Sequence, residues 1–241
     1  MNAASNPPSK IELQNWGLVP YAEAWERQRA LQREVIAGTS DGVVVLCEHP
    51  PTITAGSSTA EGSLRVPENE LAEHGVQFFK IERGGDLTYH GPGQLVCYPL
   101  LNLNHFKRDV HWYMRALEAA IIRTCLTFGV TTGRISGRTG VWIPESMPPR
   151  KIASIGVRLS RWCSLHGLAL NVAKQPQTGH LLNPCGFSDI IVTSLEDEQA
   201  ALRSAGLTAP ATPQSLSLNA VSRTLASELA NEIGFRYVSE A

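Results

Sequence analysis

The stretch "IERGGDLTYHGPGQLVCYPL" at 81–100 places Gly84, Gly85, Gly91, Pro92 and Gly93 around His90. Glycine loses more backbone freedom on folding than any other residue, so this density implies an awkward backbone path or something bound against it. The spacing lacks the Gly-Lys-Ser/Thr ending of a phosphate loop and the GxGxxG that opens a dinucleotide-binding helix, so neither motif supports a nucleotide. His49, His90, His166 and Cys185 are too scattered along the chain to show a convergent ligand set, and no metal site is expected.

A nucleophile is the better candidate. Cys185 lies in "NPCGFSD", held between Pro184 and Gly186, whereas Cys47, Cys97 and Cys125 sit in apolar segments and read as inert packing. A thiol at its ordinary pKa is mostly protonated at neutral pH, so a reactive one needs a nearby cation. Lys151 begins the otherwise apolar strand "KIASIGV" and could place its ammonium beside a pocket. A solvated lysine at a strand end is the competing reading.

The elements that must position these residues read as mixed α and β. In "YAEAWERQRALQREVIAG", Tyr21, Trp25, Leu31 and Val35 fall on one helical face, Arg27 and Gln28 are polar, and Gly38 is a stop. "GVVVLCEHP" reads as a buried strand ended by Pro50. "VQFFKI" at 76–81 leads into the glycine stretch and "QLVCYPL" at 94–100 leads out, which makes the candidate site a loop between two strands. "DVHWYMRALEAAIIRTCLTFGV" is helical, with Val110, Tyr113, Leu117 and Ile121 in register and Asp109 as its cap. "GRTGVWI", "KIASIGVRLS" and "HGLALNV" suit neighbouring strands. "SLNAVSRTLASELANEIGF" is an amphipathic helix with Val221, Leu225 and Leu229 on its stripe, and "TAPATPQS" at 208–215 is an ordinary loop.

The 241 residues, 43% hydrophobic and 18% charged, can bury one large core, and a formal net charge of -1 supplies no global field for nucleic acid or anionic lipid. The first ten residues, "MNAASNPPSK", lack the apolar core of a signal peptide, and no apolar run reaches membrane-spanning length, so a cytoplasmic location is expected. Five cysteines without a CxxC pair suggest reduced thiols.

Taken in order, "RGGDLTYHGPGQ", "KIASIGVR", "HGLALNV" and "NPCGFSD" resemble the octanoyltransferase family, the lipoyl(octanoyl) transferases of lipoic acid biosynthesis, over roughly residues 12–200. The resemblance implies an α/β (α+β) fold, a mixed sheet flanked by helices, like that of the biotin and lipoate protein ligases. A single catalytic domain over 1–241 is expected, with residues 1–11 flexible, and a monomer is expected although the sequence does not establish the oligomeric state. The implied reaction moves an octanoyl group from octanoyl-acyl carrier protein to a lysine of the lipoyl domains of 2-oxoacid dehydrogenases or of glycine cleavage H protein. No cofactor is implied, because the thioester is already activated.

By the same resemblance Cys185 accepts the acyl group and Lys151 is its partner. Arg83, Gly84, Gly85, Asp86, Leu87, Thr88, Tyr89 and His90 would line the acyl pocket, although Asp86 occupies a variable place in the motif and is given no chemical role. Ser154, Ile155 and Gly156, with Gly167, Leu168 and Ala169, would supply backbone around the thioester and chain. His49 and His90 are open between supporting the site and holding loops. Arg83, Arg158 and Arg161 are candidates for an electropositive rim facing acidic partners. Two other readings stand beside this one: an ATP-dependent lipoate or biotin ligase on the same fold, and a catalytically silent carrier-binding module.

Overall fold

The structure is a computed structural model and describes residues 11–144, 146–176, 178–182, 189–207 and 215–239. In chain order its elements are β1 (Ile11–Leu18), α1 (Tyr21–Ala37), β2 (Gly42–Glu48), β3 (Thr52–Ala55), β4 (Gln77–Lys80), β5 (Leu87–His90), β6 (Gln94–Leu101) and α2 (Val110–Thr127). They continue with β7 (Gly133–Ile135), β8 (Arg138–Ile143), β9 (Arg150–Ser160), β10 (Cys163–Asn171), β11 (Ile191–Val192), α3 (Leu195–Ser204), α4 (Leu218–Ile233) and β12 (Tyr237–Ser239).

The large sheet runs β12-β1-β2-β6-β10-β9-β8-β7, with β11 paired to β9, and a small sheet runs β4-β3-β5. Both are mixed. In the large sheet β1 is parallel to β2 and β12, whereas β2, β6, β10, β9 and β8 pair antiparallel in turn. The strands of "GRTGVWI", "KIASIGVRLS" and "HGLALNV" are neighbours, as their apolar content suggests.

β2 is apolar at successive positions because both its faces are covered. Val44 and Leu46 pack with Tyr113, Leu117 and Ile121 of α2 and Val221, Leu225 and Leu229 of α4. Val43, Val45 and Cys47 pack on the opposite face beside Ala24 of α1, together with Tyr98 and Leu165. Asp109 caps α2, its Oδ1 accepting from Trp112 N at 3.0 Å, and Gly38 closes α1 in the left-handed conformation.

The sequence reading of α1 needs a correction. Gln28, read as polar beside Arg27, is buried, and so is Gln32, because both dock the helix onto β10: Gln28 Oε1 accepts from His166 N at 3.2 Å and Gln32 Nε2 donates to Cys163 O at 3.0 Å. The expected flexibility through residue 11 also fails at its last position. Ile11 begins β1 and is fully buried, while residues 1–10 and most of the 208–215 loop lie outside the described residues.

Candidate active site

The glycine stretch is not one loop. It divides into a turn at 81–86, the strand β5, and a second turn at 91–93 that leads into β6. β5 pairs antiparallel with β3, so Thr88 sits opposite Thr54 and His90 opposite Thr52. The small sheet lies against the large one where the 81–86 turn meets β9, and the glycines make the contact close. A Cβ on Gly156 of β9 would come within 2.8 Å of Gly84 O, and Gly84 N donates to Val157 O at 3.0 Å.

A chain of polar side chains crosses this seam. Arg83 is buried, its Nη2 donating to Thr54 O at 2.7 Å and to Thr54 Oγ1 at 2.9 Å. The Thr54 hydroxyl faces His90 Nε2 at 3.3 Å, and His90 Nδ1 donates to Gln94 Oε1 at 2.7 Å. Gln94 Nε2 then donates to Asn171 Oδ1 at 3.0 Å, and Asn171 Nδ2 to Thr193 O at 2.9 Å. Burial therefore removes Arg83 from the expected rim, while Arg158 and Arg161 are exposed. His90 is held neutral, its pKa lowered to about 3, first by desolvation and then because a proton on it and one on His49 would repel. His49 donates from Nδ1 to Val19 O at 2.8 Å, faces the Tyr98 hydroxyl at 2.7 Å, and has its pKa lowered to about 4 by burial. Fully bonded, both histidines fit the loop-holding role.

Two clefts open along the seam and meet at Thr88 and Ser154, which line both. The first, of about 310 Å³, is walled by Gly156, Gly167, Leu168, Ala169, Val96 and Tyr98, with Arg83, His90, Tyr21 and His166 around them. The second, of about 460 Å³, holds Lys151 together with Leu87, Tyr89, Gln94, Asn171, Gln175 and Val192. Gly84, Gly85, Asp86 and Ile155 line neither cleft. Asp86 instead braces its turn, accepting from Ser63 Oγ at 2.6 Å and Leu87 N at 2.7 Å, and Ile155 belongs to the core under α2 and α4.

Lys151 is only 5% exposed, so it is not the solvated strand-end lysine of the competing reading. Its ammonium lies 5.0 Å from the centre of the Trp142 ring, and Gly140 leaves room for its stem. Cys185 lies outside the described residues. In sequence it falls between Leu182 and Val192, which both line the cleft that contains Lys151, and Val192 pairs with Lys151 in β11–β9. Cys47, Cys97, Cys125 and Cys163 are buried, and desolvation pushes each thiol up, Cys125 to about 12. That environment suits packing and not thiolate chemistry.

Sequence reasoning missed Tyr21, Val96, Tyr98 and His166 in the first cleft, and Asn171 and Gln175 in the second. His166 is the most unusual. It is buried at φ 61°, neither ring nitrogen has a hydrogen-bond partner, and Nε2 stands 3.7 Å from Glu82 Oε2. Its place directly before Gly167 in "HGLALNV" was the only available signal. Among the described residues no three His, Cys, Asp or Glu side chains cluster as a metal site would require.

The seam, its paired clefts and the buried lysine can be compared with known proteins. A family model described as the lipoyl protein ligase A/B catalytic domain matches residues 20–223. An octanoyltransferase of Bacteroides thetaiotaomicron is 44% identical over 195 residues, covering 78% of this chain and 86% of the relative. The chain belongs to the octanoyltransferase family.

Solved structures agree on the family's architecture. A lipoate-protein ligase A bound with ATP superimposes with a TM-score of 0.69 at 14% identity, covering 96% of this chain and 90% of that one. A bi-partite lipoate protein ligase of Thermoplasma acidophilum gives 0.66 at 14% identity, over 97% and 87%. The mixed sheet flanked by helices is thus the lipoate ligase and transferase fold, as the motifs of the octanoyltransferase family imply.

Proposed function

We propose that this chain, acting as a single catalytic domain, transfers an octanoyl group from octanoyl-acyl carrier protein to a lysine of lipoyl domains through a thioester on Cys185. Octanoyl transfer within lipoic acid biosynthesis is the activity of its family. The observation that carries the mechanism is the buried Lys151 in a cleft continuous with a second one walled by glycine, aliphatic and aromatic side chains. A chain entering past Thr88 and Ser154 would lie along Leu168, Ala169 and Val96, with its carbonyl left on the Lys151 side.

In the first step Lys151 favours the Cys185 thiolate, which attacks the octanoyl carbonyl. A carbon–sulfur bond to Cys185 forms, the bond to the carrier sulfur breaks, and the carrier thiol leaves with the proton that the Lys151 ammonium gives up, so Lys151 becomes a neutral amine. In the second step the neutral acceptor amine attacks the same carbonyl, Lys151 takes its proton, and the Cys185 thiolate is released as the amide forms. The donor is already an activated thioester, so no step requires ATP. Lipoyl domains of 2-oxoacid dehydrogenases and glycine cleavage H protein are the acceptors in this reading, with exposed Arg158 and Arg161 offering charge to acidic partners. The ATP-bound ligase shares 14% identity, which bears on the fold and not on a nucleotide step.

Intact-protein mass spectrometry of wild-type and Cys185→Ser protein mixed with octanoyl-loaded carrier protein, without ATP, tests the reading. A wild-type adduct of one octanoyl group, released by hydroxylamine and missing from the variant, is expected. Transfer that proceeds only with ATP and free octanoic acid would establish the ligase instead.

A further inference from the structure

Gln175 is 6% exposed and lines the Lys151 cleft. Its Nε2 donates to Ala173 O at 2.9 Å, which fixes the orientation of the side-chain amide. Its Oε1 is buried with no hydrogen-bond partner. Buried carbonyl oxygens are nearly always paired, so this one is open to a donor that enters the cleft.

The backbone around it is held from two sides. Val172 N and Ala173 N both donate to Gly93 O, at 3.1 and 2.9 Å, and Gly93 N donates to Glu48 Oε2 at 2.6 Å. Gly93 adopts φ +83°, and a Cβ there would stand 2.7 Å from the Cβ of Ala173. On the other side Glu196 N donates to Val172 O at 3.0 Å and Lys174 N to Glu196 Oε2 at 2.8 Å. The second half of the glycine motif thus braces the segment that carries Gln175, and a braced acceptor is the arrangement that orients a ligand.

We propose that Gln175 is a substrate-positioning residue of the transfer reaction, its Oε1 accepting a hydrogen bond from an N–H group of the substrate in the Lys151 cleft. This rests on the transferase reading. Two substrate groups carry that chemistry: an amide N–H of the pantetheine arm that presents the thioester, and the amine of the acceptor lysine. Both would meet the cleft where the acyl carbonyl is exchanged.

The two half-reactions separate them, using the full chain and Gln175→Met, which keeps the length of the side chain and removes the acceptor. Loading is followed by intact mass with octanoyl-pantetheine and with the octanoyl thioester of 2-mercaptoethanol, which has no N–H. Unloading is followed with a lipoyl domain and with dithiothreitol. A bond to the arm predicts loading from octanoyl-pantetheine slowed roughly tenfold, the effect of losing one hydrogen bond, with the mercaptoethanol thioester unaffected. A bond to the acceptor amine predicts the same loss in transfer to the lipoyl domain alone, with release to dithiothreitol unchanged. Equal rates in wild type and variant would overturn the proposal, as would an equal slowing with all four reagents, which marks a structural role. Absence of any adduct on the wild-type protein would instead overturn the transferase reading, and the proposal with it.

Discussion

Lys151 has a defined path to its cleft because Gly140, on the neighbouring strand β8, has no side chain to obstruct its stem. A Cβ on Gly140 would come within 2.8 Å of Lys151 Cε and would overlap the carbonyl oxygen of Ala153, and Gly140 also sits at φ +113°. Gly140→Ala should therefore displace the lysine and strain β8 together. Steady-state transfer is expected to fall about 100-fold, the scale of a misplaced reacting group. Gly133→Ala is the control: its Cβ would touch only Pro144 Cγ, at 3.4 Å, and it should retain wild-type rates. Equal losses in the two variants would show that Gly140 does not serve Lys151.

At the level of elements, the site exists because the 81–86 turn docks on β9 and β5 runs through the 91–93 turn into β6 of the large sheet, and the polar chain from Arg83 to Thr193 crosses that join. Arg83→Met removes the guanidinium donors and leaves Thr54 O with one fewer partner inside the protein. Urea denaturation should report a loss of about 3 kcal/mol, the range for buried hydrogen bonds to a charged group. Arg158→Met, at an exposed position, should change stability by less than about 0.5 kcal/mol. A matching loss in both would show that the crossing chain does not stabilise the seam.

Across the whole molecule, the neutral histidines under the first cleft tie stability to pH. His49 and His90 have their pKa values lowered to about 4 and about 3, against roughly 6.5 in an unfolded chain. Between these values the unfolded chain binds protons that the native one excludes, so stability rises with pH and falls as pH drops below about 6.5. Each histidine contributes up to about 1.4 kcal/mol per pH unit across its window. Urea midpoints should accordingly fall from pH 7 to pH 4.5 more steeply than surface carboxylates account for. A flat profile over that interval would show that the native protein accepts these protons.

Helices α1, α2 and α4 were legible because each carries apolar residues at helical spacing, with Asp109 and Gly38 marking ends. β2, β6, β8, β9 and β10 were legible as apolar runs; the composition of β2, β6 and β10 reflects burial on both faces, whereas β9 is buried mainly over its first half. The glycine motif, the lysine and the cysteine were identifiable as chemistry from residue type, and their joint resemblance to one family supplied the activity. Their meeting was not legible, since contacts between residues far apart in sequence depend on sheet order. Only the tertiary structure decided that the glycine stretch contains a strand of a second sheet, that Gln28 and Gln32 face inward, and that Arg83 is buried. The physical reason is the same in each case: a polar side chain can be buried when another segment supplies its hydrogen-bond partner, and a local pattern carries no record of that partner.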